Sequence, residues 1–149
     1  EHEGKVAISV AEKRINQADK SKLVLVERWQ TQWIDVRKAP AVERNFLNAI
    51  QIHRLPATNF YALYEAFQAQ VIALIAAERT GTFAPALITT SKEHAAILRE
   101  IDALEREIAE MRTALKREHQ MGGKITLNGK IRELKDVILI LEARLKITH

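Results

Sequence analysis

Glu12, Lys13 and Arg14 stand in a row, and a carboxylate beside a lysine is raw material for a magnesium-dependent nuclease. That chemistry needs an acid upstream and a Glu-x-Lys step on a strand. Here the glutamate and lysine are adjacent, so an extended backbone points them to opposite faces. A phosphate-contacting strand end uses Lys13 and Arg14 without that constraint. Trp29 and Trp33 lie among Arg28, Arg37 and Lys38, a mixture that can stack bases and hold phosphates, although tryptophan is more often a core residue. The five histidines, His2, His53, His94, His119 and His149, show no ligand spacing, so no metal and no catalytic group is assigned. Gly122-Gly123 lacks the strand–turn–helix setting of a phosphate loop and reads as a turn, so no cofactor is implied.

The charge distribution carries more. The 149-residue chain has 23 basic and 19 acidic side chains, a net charge of +4. Between positions 116 and 135 six cations, Lys116, Arg117, Lys124, Lys130, Arg132 and Lys135, face only Glu118 and Glu133, so that window holds the whole surplus. Lys116, Arg117, Lys124, Lys130 and Arg132 are the favoured contacts for nucleic-acid phosphate or an acidic partner, with Lys13 and Arg14 secondary.

The element that presents this window is read from periodicity. Ile101, Leu104, Ile108, Met111 and Leu115 recur at spacings of three and four, as do Ile131, Leu134, Ile138, Leu141 and Leu145. Folding the chain at Gly122-Gly123 brings Leu115 to Ile131, Ile108 to Ile138 and Ile101 to Leu145, an antiparallel coiled-coil hairpin. Thr90-Ser91-Lys92-Glu93 fits a capping box, which predicts a first arm over 91–120. The return arm is expected from 126–129 to just before His149. Val137 and Ile140 are apolar outside the seam and mark a protein interface, with another helix expected to cover them, that over 60–79 or one from a second chain. Flanking charges pair unevenly in this register: Glu100 meets Arg144, but Glu105 meets Glu142 and Arg112 meets Lys135.

Upstream, residues 5–10 alternate as a half-buried strand, 15–21 suit a loop, and a second strand from Leu23 extends toward Trp33. Two strands alone are marginal in water and need a third strand or a helix cover. Val42, Phe46 and Ile50 share a helical face. Phe60, Leu63, Tyr64, Phe67, Val71, Leu74 and Ile75 form a broad stripe on a longer helix that stops near Gly81. The fold class is therefore α+β and mostly helical: a short antiparallel β element over 1–39, two central helices over 40–88, and the hairpin over 89–149. No apolar run reaches the roughly 20 residues of a membrane helix, so no membrane partner is expected. Cysteine is absent, which suits a reducing cytoplasm. The chain opens at Glu1 and reads as a trimmed piece of something longer.

Three segments together resemble a family. They are Ile8-Ser9-Val10-Ala11-Glu12-Lys13-Arg14-Ile15-Asn16-Gln17-Ala18-Asp19, Leu55-Pro56-Ala57-Thr58-Asn59-Phe60-Tyr61-Ala62-Leu63-Tyr64, and Leu115-Lys116-Arg117-Glu118 followed by Leu127-Asn128. They are similar to a bacterial family of unknown function found beside DNA methyltransferases, Swi/Snf-type helicases and restriction-like defence genes. Met121-Gly122-Gly123 departs from the bulkier, more polar residues of similar proteins. The resemblance implies a non-enzymatic accessory or scaffold module with methyltransferase or helicase subunits as protein partners, DNA as a further partner, and no transferable catalytic residue. The alternatives are a restriction-like nuclease whose catalytic half lies upstream, and a structural module that forms a homodimer through the hairpin.

Overall fold

The computed structural model describes residues 4–147. The fold is α+β and mostly helical, as the periodicities imply. It divides into two compact units, one reaching to Ser91 and one beginning at Lys92.

In the first unit the expected strand over 5–10 is two short strands. β1 (Lys5–Val6) pairs antiparallel with β4 (Ile34–Asp35), and β2 (Ser9–Ile15) pairs antiparallel with β3 (Leu23–Gln30). The break has a local cause. The buried Thr31 hydroxyl accepts the Ile8 N–H at 3.0 Å, while the Thr31 N–H donates to the Ile8 carbonyl at 2.9 Å. A side chain thus replaces one rung where the two ladders meet. The β2–β3 turn is closed by Asp19, whose carboxylate accepts from the Ser21 N–H and hydroxyl and meets Lys22 Nζ at 3.0 Å. These partners, the Ser21 hydroxyl first, hold the Asp19 carboxyl below its ordinary range.

α1 (Ala41–Ala49) follows Pro40, and a single 3-10 turn at Ile52–Arg54 leads to α2 (Phe60–Thr80). Asn59 starts α2 by accepting the Ala62 N–H at 2.8 Å. Gly81 ends it with φ at +80°, a left-handed conformation that glycine adopts freely. The core collects Val10, Trp29, Ile34, Phe46, Val71, Leu74 and Phe83, with Phe46 edge-on to Phe83 at 6.0 Å between ring centres.

The expected α2 stripe holds only in its second half. Val71 and Leu74 are buried, whereas Phe60 is 90% exposed and Tyr61 and Tyr64 are exposed too. Buried instead are Ala66, Ala69, Ala73, Ala76 and Ala77, small side chains that let α1 and β3 approach the α2 backbone closely. By length and hydropathy α2 is apolar enough to cross a membrane, a property the expectation of no such run missed. Half of that stretch is buried inside the protein, which accounts for its composition.

The helix cover expected for the strands is supplied through one hydroxyl. Tyr64 Oη accepts the Ala11 N–H at 2.9 Å and donates to the Ala11 carbonyl at 2.8 Å. Both backbone groups of Ala11 therefore point away from β3 and end on α2.

Downstream lie α3 (Ile88–Arg117) and α4 (Met121–Ile147), the two arms of a helical hairpin. Both start earlier than expected. Ser91 is not a cap: its N–H donates to the Leu87 carbonyl and its hydroxyl to the Ile88 carbonyl. The start is fixed from outside, because the Gln70 amide pins Ala86, donating to its carbonyl at 3.0 Å and accepting its N–H at 3.3 Å. The reversal falls on residues 118–120, and Gly122-Gly123 lies inside the first turn of α4. The Glu118 side chain folds over that turn and accepts the Gln120 N–H at 2.7 Å. A Cβ on Gly123 would stand 2.6 Å from the Glu118 carboxyl carbon, so glycine is there to admit this carboxylate.

Candidate docking surface

The hairpin seam is legible in burial. On α3, Ile101 and Ile108 are buried and Leu104, Met111 and Leu115 half-buried. On α4, Ile131, Leu141 and Leu145 are buried and Leu127, Leu134 and Ile138 half-buried. Ile97 and His94 are buried at the same spacing, one heptad further from the turn. These positions are a and d of a heptad, with Ile101, Ile108 and Leu115 at a on one arm and Ile131, Ile138 and Leu145 at a on the other.

The seam assigns the e, g, b and c side chains to its two flanks and leaves the f row facing away from it. Because the arms run oppositely, the e row of one lies beside the e row of the other, and g beside g. Outside them the b and c rows continue the two flanks. Near the turn, the e and b rows carry Arg112 and Lys116 from α3 and Asn128, Arg132 and Lys135 from α4. The g and c rows carry Glu107, Glu110 and Arg117 from α3 and Lys130, Glu133, Val137, Ile140 and, further on, Ile147 from α4.

The expected contact residues thus do not form one cluster. Lys116 and Arg132 share one flank, Arg117 and Lys130 belong to the other, and Lys124 extends the seam line past its last aliphatic side chain. All five are exposed. Arg112 and Lys135, which the sequence presents as a like-charge conflict, join Lys116 and Arg132. Their heptad letter is the signal that finds them. Met121 and Ile125 lie at the turn end of the same flank, 73% and 66% exposed. Val137 and Ile140 are exposed on the opposite flank, in line with the more exposed Ile147.

In the first unit, Lys13 and Arg14 are exposed on β2 beyond a register irregularity between Glu12 and Lys13. Glu12 stands opposite Glu27 on β3, and Lys13 opposite Leu25. Among the described residues, no three His, Asp or Glu side chains gather closely enough to hold a metal ion. Trp29 is buried in the core, which removes it from any stacking surface, while Trp33 is about half exposed. His94 is fully buried and His53 and His119 are exposed; His2 and His149 lie outside the described residues.

Two further hollows belong to the first unit. One is a cleft of about 600 Å³ whose polar lining is Asn45, Asn48, Arg54 and Gln70. The other is an apolar groove between Ile50, Ile52, Phe60, Tyr61, Leu63 and Phe67. Glu65, hydrogen-bonded to the Tyr61 phenol, pushes its ionisation upward, and the Glu12 charge adds to that.

A family model described as a domain of unknown function, DUF4391, matches residues 1–138, and the chain belongs to that family. No curated protein and no solved structure matches it.

Proposed function

We propose that this DUF4391 member is a non-catalytic accessory module that docks components of a DNA-modifying or DNA-translocating defence complex in the cytoplasm. The observation that carries the reading is the hairpin itself. One helical element exposes a row of aliphatic side chains, Val137, Ile140 and Ile147, and an unneutralised group of cations beside its turn. Contiguous exposed apolar side chains on a helix are the ordinary mark of a protein contact. Grouped cations are the ordinary footprint of phosphate. The choice of methyltransferase or helicase subunits as protein partners rests on the segment resemblance quoted above.

The mechanism is recruitment. The partner subunit covers Val137 and Ile140, and the cations hold DNA phosphate or an acidic surface. No bond is made or broken by this chain, and no cofactor enters.

The test is co-purification of the protein with methyltransferase and helicase subunits of the kind the resemblance implies. Val137→Asp/Ile140→Asp should abolish the complex while helix content by circular dichroism is retained. Retention of the complex by that variant counts against the aliphatic row. Light scattering of the chain alone separates the homodimer reading: a dimer in the parent that the double substitution dissolves assigns the same row to a second copy.

A further inference from the structure

The hairpin is electrostatically two-sided, and the sides differ in kind. On the e and b flank, the half nearest the turn holds Arg112, Lys116, Arg132 and Lys135 with Asn128 beside them, and Asp136 follows Lys135 on the outer f row. The flank's own acids, Asp102, Glu105 and Glu142, all lie farther from the turn. The g and c flank mixes signs along its length, with Glu107, Glu110 and Glu133 against Arg117 and Lys130. Among the described residues none of Arg112, Lys116, Arg132 and Lys135 takes part in an ion pair. All four are exposed.

We infer that the hairpin binds the phosphate backbone of duplex nucleic acid along this single flank, through Arg112, Lys116, Arg132 and Lys135, and leaves the opposite flank uncovered. The inference rests on the docking reading above and assigns its phosphate contact to particular residues. Three features favour nucleic acid over an acidic protein. The cations recur about once per helical turn, roughly 4.5–6 Å apart along each arm, so they form an array rather than a point. An array suits a polymer with a charge every ~1.7 Å of its axis. An uncharged donor of the type that also contacts phosphate, Asn128, lies in the same row as Lys135. The flank carries no aromatic anchor, the side chain that dominates protein contacts. Its exposed apolar residues lie outside the cation array, Met121 and Ile125 at the turn end and Leu139 one turn past Lys135.

The opposite flank stays available, so one hairpin can hold nucleic acid and a protein at once. Val137 and Ile140 lie on the side that the phosphate backbone does not touch.

The experiment is fluorescence anisotropy of a labelled DNA duplex titrated with the 149-residue chain over a range of salt concentrations. The parent should show a log–log salt slope of about −3 to −4, as four phosphate contacts require. Lys116→Gln/Arg132→Gln should weaken binding at least about tenfold near 0.1 M salt and reduce the slope by about two. Arg117→Gln/Lys130→Gln removes the same charge at nearly the same distance from the turn and should change affinity less than about threefold. Arg112→Gln/Lys135→Gln should match the first pair. Each variant is checked for unchanged helix content, since all the positions are exposed.

Equal losses from the two flanks overturn the flank assignment and leave the docking reading standing. No binding by the parent at low salt overturns the inference together with the phosphate half of that reading, while the protein half stays answerable by co-purification. Tighter binding of poly-glutamate than of duplex at equal anion concentration overturns it in favour of an acidic protein partner.

Discussion

α2 and α4 are helices of comparable length, 21 and 27 residues, and they place their aliphatic side chains in opposite ways. α2 hides Val71, Ile72 and Leu74 and even its alanines, until half of it lies inside the first unit. α4 hides a seam and leaves Val137, Leu139, Ile140 and Ile147 in solvent. Burying those four would stabilise a folded chain by roughly 1.5–3 kcal/mol each. A helix that leaves much of their surface in solvent gains only part of that in folding, Val137 at 39% exposure the most, and the difference is what the proposed contact surface on α4 rests on.

The contrast can be broken by substitution. Leu74→Ala should cost about 3–5 kcal/mol in urea denaturation, because the site is sealed and a cavity remains. Val137→Asp/Ile140→Asp should cost less than about 1 kcal/mol in the same assay. A large loss there would show that α4 is scaffold as well.

The seam should lie between these limits. Ile108→Ala should cost about 2–4 kcal/mol, since Ile108 is buried on one side of a two-helix layer. A smaller change sharpens the picture at the turn. Gly129 faces open space in mid-helix, so Gly129→Ala should stabilise the hairpin by about 1 kcal/mol. Gly123→Ala should gain less than that, because the new methyl displaces Glu118 from the start of α4. Thermal melts of the two variants give the comparison directly.

The smallest effect is a titration. Burial is the main reason that the Glu78 carboxyl is pushed above its ordinary value, with Glu43 adding and the Gln32 N–H and Arg79 opposing. The native state therefore holds the Glu78 proton more tightly than the unfolded chain does. Its contribution to stability falls as pH rises from the ordinary carboxylate range through the raised value. Glu78→Gln should raise Tm by about one or two degrees at pH 7, and the gain should vanish near pH 4. A gain of equal size at both pH values would assign the effect to packing.

Much of this arrangement is written in the chain. The 3–4 recurrence from Ile101 to Leu115 and from Ile131 to Leu145 fixes the seam, because only one face of a two-helix layer can be dry. Gly81 and Asn59 mark helix ends by local chemistry that acts the same in any context. The reversal is not legible. Glu118-His119-Gln120 has no turn signature, while Gly122-Gly123 has a strong one that goes unused. The glycines answer to a side chain folded back from position 118, a contact that composition does not announce.

The start of α3 is hidden for the same reason, since Gln70 sets it from another helix. Burial on α2 is read wrongly at Phe60 and Tyr64 because size suggests a core residue, whereas close approach of α1 and β3 demands alanine. The charged flank is the instructive case. Arg112 and Lys135 look like an error in the pairing of two helices. Placed beside Lys116 and Arg132, they are part of a surface.

Tyr64 has a consequence for association. Its hydroxyl occupies both hydrogen-bonding groups that Ala11 turns outward, so β2 cannot template a foreign strand along its full length. Among the described residues β3 pairs only with β2, and Leu25 and Val26 within it are exposed. Self-assembly through this ribbon, whether ordered fibre or amorphous clump, has one open margin to grow from, and removing a single oxygen atom would give it a second.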